Sequence, residues 1–181
     1  MVINVEMIHF VQYAIMAILL FPLFFDFGES LFFATILGAI DEAYQYWVLA
    51  PNRTEYYDFN DVVINLLGAA LGLIILFAVG WKSKKKLVTK WYKTLVSKVV
   101  FGLFALLFLL YIFGLLSIYP YIEDPQAPLL LIKKIQPEFW TIVHPDVKFH
   151  VLRPWSGVAI SILLYQFYKR MGAGENEYAV N

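Results

Sequence analysis

The chain contains no cysteine, which excludes disulfides, thiolate metal sites and a cysteine nucleophile. It has no internal repeat and no low-complexity stretch, a poor match to transporters built from inverted repeats with paired interrupted helices. No basic n-region precedes the first apolar run, and Phe24-Phe-Asp-Phe-Gly-Glu-Ser30 is a poor small-residue cleavage site. That run is therefore expected to be retained rather than removed as a signal peptide. Net charge is also absent, since 14 Lys+Arg balance 14 Asp+Glu; the distribution of charge along the chain carries the information instead.

What is present is apolar surface. Of 181 residues, 61% are hydrophobic, too many for a soluble domain of ordinary composition. Runs near Ile8–Phe25, Leu31–Leu49, Asp61–Gly80, Val99–Tyr119 and Trp155–Tyr168 approach the roughly 20 residues that a helix needs to cross about 30 Å of hydrocarbon. The expected fold is an all-α, polytopic transmembrane bundle of about five helices. The fifth is short and reads either as a tilted span ending in snorkelling Lys169 and Arg170 or as an interfacial helix.

Lys82, Lys84, Lys85, Lys86, Lys90, Lys93 and Lys98 crowd the connection between the third and fourth runs. The positive-inside rule places that loop in the cytoplasm with Lys169 and Arg170, and leaves Arg53, Lys133, Lys134, Lys148 and Arg153 outside. The N-terminus is then outside and the C-terminus inside. The lysines serve topology and attract anionic lipid; the bilayer is the expected partner, and nucleic acid is not.

Three parts follow: a three-helix core over 1–80, a basic cytoplasmic loop over 81–98, and 99–181 with a further span, an outer proline-rich segment and a short last membrane helix. Pro125, Pro128, Pro137, Pro145 and Pro154 rule out one continuous helix in the outer segment. Within it, Leu129–Ile135 is expected to lie along the membrane surface and Glu138–His144 to act as an aromatic anchor.

Polar side chains inside such a chain cost several kcal/mol unless they find partners or water, so they mark the candidate site. His9 and Tyr13 lie one turn apart on the first run. Asp41, Glu42 and Gln45 share a face near the outer end of the second, and Asp61 and Asn65 share one at the start of the third. With this topology all three helices present polar groups at similar depth. Glu42 lies about 8 Å of rise inside its helix, where leaving water disfavours the charged form. It suits general acid or base work on a polar head group.

Arg53 can orient an anionic group or anchor its loop, and Asp61 alone reads more simply as a first-turn helix cap. His9 has a plain reading as an interfacial histidine; a metal reading would need Asp41, Glu42 or Asp61 as co-ligands, which form no recognisable spacing motif. No metal or cofactor is assigned from sequence. Gly68-x-x-x-Gly72 is read only as tight helix packing.

His9-Phe-x-x-Tyr13, Glu42-x-x-Gln45, Arg53 and Asp61-x-x-x-Asn65-x-x-Gly68-x-x-x-Gly72, in this order, resemble the VanZ-like family of small integral membrane proteins over roughly His9 to Gly80. The resemblance implies a bacterial plasma-membrane protein linked to glycopeptide resistance of the teicoplanin type. It implies no defined reaction.

Two functions compete. One is a site on the extracytoplasmic face acting on a lipid-linked or cell-wall precursor, with Glu42, His9 and Asp61 as catalytic candidates and Arg53, Gln45, Asn65, Asp41 and Tyr13 as binding groups. The other is a non-catalytic binding or adaptor protein whose polar residues glue helices together. A proton-coupled carrier ranks last. Substrate and oligomeric state are not specified.

Overall fold

The computed structural model describes residues 5–49, 57–84, 91–117, 129–130, 140–144, 147–150, 152 and 154–171. Five α-helices dominate: α1 Val5–Phe24, α2 Phe27–Tyr44, α3 Phe59–Ala78, α4 Leu95–Ile112 and α5 Pro154–Arg170. Three of them, α1 from Met7, α3 and α4, are long and apolar enough to cross a membrane. α2 carries three acids, Glu29, Asp41 and Glu42, in 18 residues, and α5 has 17 residues, about 26 Å of rise. The chain divides into two compact units, the first comprising 1–42, 58–86 and 152–181 and the second 43–57 and 87–151.

The first unit is organised by small residues on α3. A Cβ on Gly68 would overlap the carbonyl of Phe10, and one on Gly72 that of Ala14. The pairs advance together along both helices, so α1 and α3 run parallel with their backbones in direct contact, as small-xxx-small packing permits where lipid supplies no hydrophobic drive. α2 follows α1 after only Phe25 and Asp26 and must return antiparallel. It approaches the pair at Gly38, where an added Cβ would lie 3.2 Å from both Asn65 and Tyr13.

α5 is parallel to α3. Gly157 packs on Phe59 near their starts, and further along the buried Tyr168 hydroxyl donates to the Ala70 carbonyl at 3.0 Å. Tyr168→Phe removes that bond and nothing else, so a loss of about 1 kcal/mol in unfolding free energy is expected. Denaturant titration in micelles reads it, and an unchanged midpoint would show the bond to be dispensable. Between the helices, Tyr13, Ala17, Phe21, Phe27, Leu31, Ala34, Leu66, Ala69, Ala70 and Leu73 form one buried core. Ile8, Val11, Ile15, Leu19 and Leu23 make an exposed apolar stripe on α1, the face that meets lipid.

The α1–α2 turn is held from outside. Phe25 has a positive φ of 48°, which costs a non-glycine residue roughly 1–2 kcal/mol. Its carbonyl accepts from the Lys84 amide at 2.8 Å, and the Lys84 ammonium lies 4.0 Å from its ring centroid. The Asp26 carboxylate caps α2 by accepting from the Glu29 amide at 2.8 Å, and Ser83 Oγ accepts from the Phe27 amide at 3.1 Å. This end of the unit thus gathers Lys82, Lys84, Lys169 and Arg170 beside Asp26 and Glu29.

In the second unit, Thr94 caps α4 by accepting from the Ser97 amide at 3.1 Å. Val96 is the only buried residue on α4; Phe101, Phe104, Phe108, Tyr111 and Ile112 are exposed, as in a helix solvated by hydrocarbon. The fourth run was expected to reach Tyr119, but α4 stops at Ile112. Gly114, at φ 69°, lets the Leu115 amide donate back to Leu110 at 2.8 Å and its own amide to Tyr111 at 3.0 Å, a helix-ending pattern that needs the left-handed residue. Gly80 at φ 92° ends α3 in the same way.

Short strands then appear that the sequence reading did not anticipate. β1 Leu116–Ser117 pairs in parallel with β2 Leu129–Leu130, so the segment expected along the membrane surface opens on a strand; its remainder, 131–135, lies outside the described residues. β3 Trp140–His144 and β4 Val147–His150 pair antiparallel with a register shift between Ile142 and His144, so most of the expected aromatic anchor is one arm of a hairpin. A π-helical turn, Gln45–Leu49, extends α2. Its Trp47 indole donates to the Leu130 carbonyl at 3.1 Å, and Tyr46, Trp47 and Tyr57 pack their rings together.

Candidate functional site

The site lies at the end of the first unit opposite Lys84 and Lys169, where α1 and α3 begin and α2 finishes. Its position follows from the helix directions: α1 and α3 enter in parallel and α2 arrives from below, so His9, Asp61 and the Asp41-Glu42 pair reach one level. The ligand atoms of His9, Asp41 and Glu42 all lie within 4.8 Å of one another. Glu42 is 5% exposed, and the charges of Asp61, Asp58 and Asp41 act on it. Asp41 and Glu42 in turn act on Tyr13, which is buried one turn below His9.

Asp58, not Asp61, is the N-cap of α3, with its carboxylate accepting from the Asn60 amide at 2.8 Å. α3 begins two residues before the expected span, which moves the cap back and leaves Asp61 inside the first turn. There it stands as the first-turn acid at the positive helix end, the position the sequence suggested. Asn60 also accepts from the Leu152 amide at 2.8 Å, tying the start of α3 to the segment before α5.

One turn deeper stands Asn65, fully buried. Among the described residues neither its Oδ1 nor its Nδ2 has a hydrogen-bond partner, and the same holds for the buried His9 Nδ1. An unsatisfied buried amide atom costs about 1–3 kcal/mol, and such groups are few in native proteins. The floor of the site is therefore polar and unsatisfied, the condition that a bound polar ligand or water relieves.

Gly38 makes this floor possible, since any side chain there would press on Asn65 and Tyr13. Sequence reasoning missed it. Its signal was a glycine one turn before Glu42 on the same face of α2.

Of the expected site residues, His9, Tyr13, Asp41, Glu42, Asp61 and Asn65 come together. Gln45 opens the π-helical turn in the second unit, so the α-helical spacing that grouped it with Glu42 ends one residue before it. Arg53 lies outside the described residues. The carboxylates and imidazole can exchange protons, bind a cation or accept donors from a head group.

These features define an integral membrane protein with a buried polar site near one end of its helix bundle. The family model described as VanZ/LLP1 matches residues 4–80, which contain α1, α2 and α3 and all six converging residues, so this segment is similar to that family. No curated protein and no solved structure matches it.

Proposed function

We propose that this VanZ-like protein acts at the extracytoplasmic face of a bacterial plasma membrane on the cell envelope, handling a lipid-linked or cell-wall precursor and thereby contributing to resistance against teicoplanin-type glycopeptides. The observation that carries the reading is the convergence of His9, Tyr13, Asp41, Glu42, Asp61 and Asn65 at one end of an otherwise apolar bundle. Glu42 is the acid/base candidate, Asp41 and Asp61 set the field around it, and Asn65 and Tyr13 bind the head group from below. Arg53 is assigned the anionic group of the substrate.

The orientation has support within the first unit, whose opposite end carries Lys82, Lys84, Lys169 and Arg170, as the positive-inside rule requires of a cytoplasmic face. The adaptor alternative, with polar residues as interhelical glue, fits the core less well. α1 and α3 are joined through Gly68 and Gly72, and Asn65, the most buried polar group on α3, has no described partner to glue to.

Cells carrying the protein are expected to tolerate more teicoplanin than cells without it and to show altered lipid-linked precursor pools. Glu42→Gln, at matched membrane abundance, should behave like the deletion, because loss of a general acid or base costs roughly 100-fold or more in turnover. Unchanged susceptibility and unchanged pools on deletion would remove the envelope function. Full activity of Glu42→Gln would remove Glu42 from its role.

A further inference from the structure

We propose that His9, Asp41 and Glu42 form a binding site for one divalent transition cation of the Zn2+ or Mn2+ class, with a coordination position left for water or substrate. The site overlaps the polar cluster described above, but the inference does not require an envelope substrate.

Three donors from two helices already lie within 4.8 Å of one another. Zinc holds imidazole nitrogen and carboxylate oxygen at about 2.0–2.2 Å, which puts donors sharing an ion roughly 3–4 Å apart. The difference is on the order of 1–2 Å, within the reach of side-chain adjustment on binding.

The donor set also matches in charge and softness. Two carboxylates and a neutral imidazole carry two negative charges, which a divalent ion neutralises, and the imidazole favours a borderline transition metal over magnesium or calcium. Three protein ligands leave the fourth position for water or substrate, as in catalytic rather than structural sites.

Two further observations point to a ligand here, one of them, at Asn65, independent of the cluster. His9 Nδ1 is closed off from solvent without a described partner, and Asn65, fully buried one turn below, has neither amide atom satisfied. A metal-bound water would give Asn65 the hydrogen bond it lacks, the outer-shell role that orients ligands around protein-bound metals. The sequence could not show this arrangement, because His9 lies far from Asp41 along the chain and only the parallel course of α1 and α3, with α2 returning antiparallel beside them, brings the residues together.

The test is Zn2+ and Mn2+ titration of the full-length protein, free of any histidine tag, in lipid nanodiscs. About one equivalent is expected to bind saturably. His9→Gln, Asp41→Asn and Glu42→Gln should each weaken binding at least about tenfold, since loss of an outer-shell partner alone costs that much. Glu29→Gln, at the other end of α2, should leave it unchanged.

Absence of saturable binding, or equal binding by His9→Gln, would overturn the site. If the variants fail to fold, the Mn2+-loaded wild-type protein with 15N-histidine should still show imidazole coupling in its magnetic resonance spectrum; no coupling would overturn it too. None of these readouts uses antibiotic susceptibility, so the cation site and the envelope function can each fail alone.

Discussion

Replacing Gly68 by leucine is expected to force α1 away from α3 and lower the unfolding free energy of the protein by about 3 kcal/mol or more. Alanine at the same position separates the causes. In a helix, Gly→Ala normally gains up to about 1 kcal/mol through propensity, yet at Gly68 the added carbon meets the backbone carbonyl of Phe10, which cannot rotate aside as a side chain would. The overlap should win, and Gly68→Ala should be less stable than wild type despite its better propensity. Gly102 on α4 is the control, since a Cβ there meets nothing within 4 Å among the described residues, and Gly102→Ala should be neutral or slightly stabilising. Denaturant titration in mixed micelles reads all three. A wild-type midpoint for Gly68→Leu would mean that the two backbones are not in contact.

The same glycines show what the sequence could convey. Long apolar runs report hydrocarbon thickness directly, so all five helices were legible with their ends within a few residues except at α4. There the apolar run continues past Gly114 while the helix does not, because a glycine in the left-handed region ends a helix without any change in hydropathy. The strands were illegible for a related reason. Trp140–His144 is a short apolar run that fits a strand or an anchor equally, and only its pairing with Val147–His150 decides.

At the site, helix spacing was enough to group Asp61 with Asn65 and His9 with Tyr13, since those relations are local. Glu42, which the sequence singled out for its depth inside the helix, is buried. What spacing could not supply was relations between helices: that Gly38 vacates the space Asn65 fills, and that His9 reaches Asp41 and Glu42. These depend on the parallel crossing that Gly68 and Gly72 permit. The packing motif, read as having no functional meaning, thus sets the geometry of the chemistry above it.

Asn65→Leu follows from that geometry and should separate stability from function. Leucine nearly matches asparagine in shape while removing two polar atoms that have no described partner in a fully buried position. Exchanging an unsatisfied buried amide for an apolar group of similar shape recovers its desolvation cost, about 1–3 kcal/mol for each atom. Leucine is somewhat bulkier, and the space left by Gly38 limits how much of that gain survives, so a net increase of about 1 kcal/mol in unfolding free energy is expected. Teicoplanin tolerance should fall to that of cells lacking the protein, because the pocket floor would no longer offer a hydrogen bond. A residue kept only for helix packing predicts the opposite pairing, loss of stability with function falling in proportion to abundance. If Asn65→Leu proved less stable than wild type while full activity persisted at matched abundance, Asn65 would be a packing residue and the polar floor would have no part in binding.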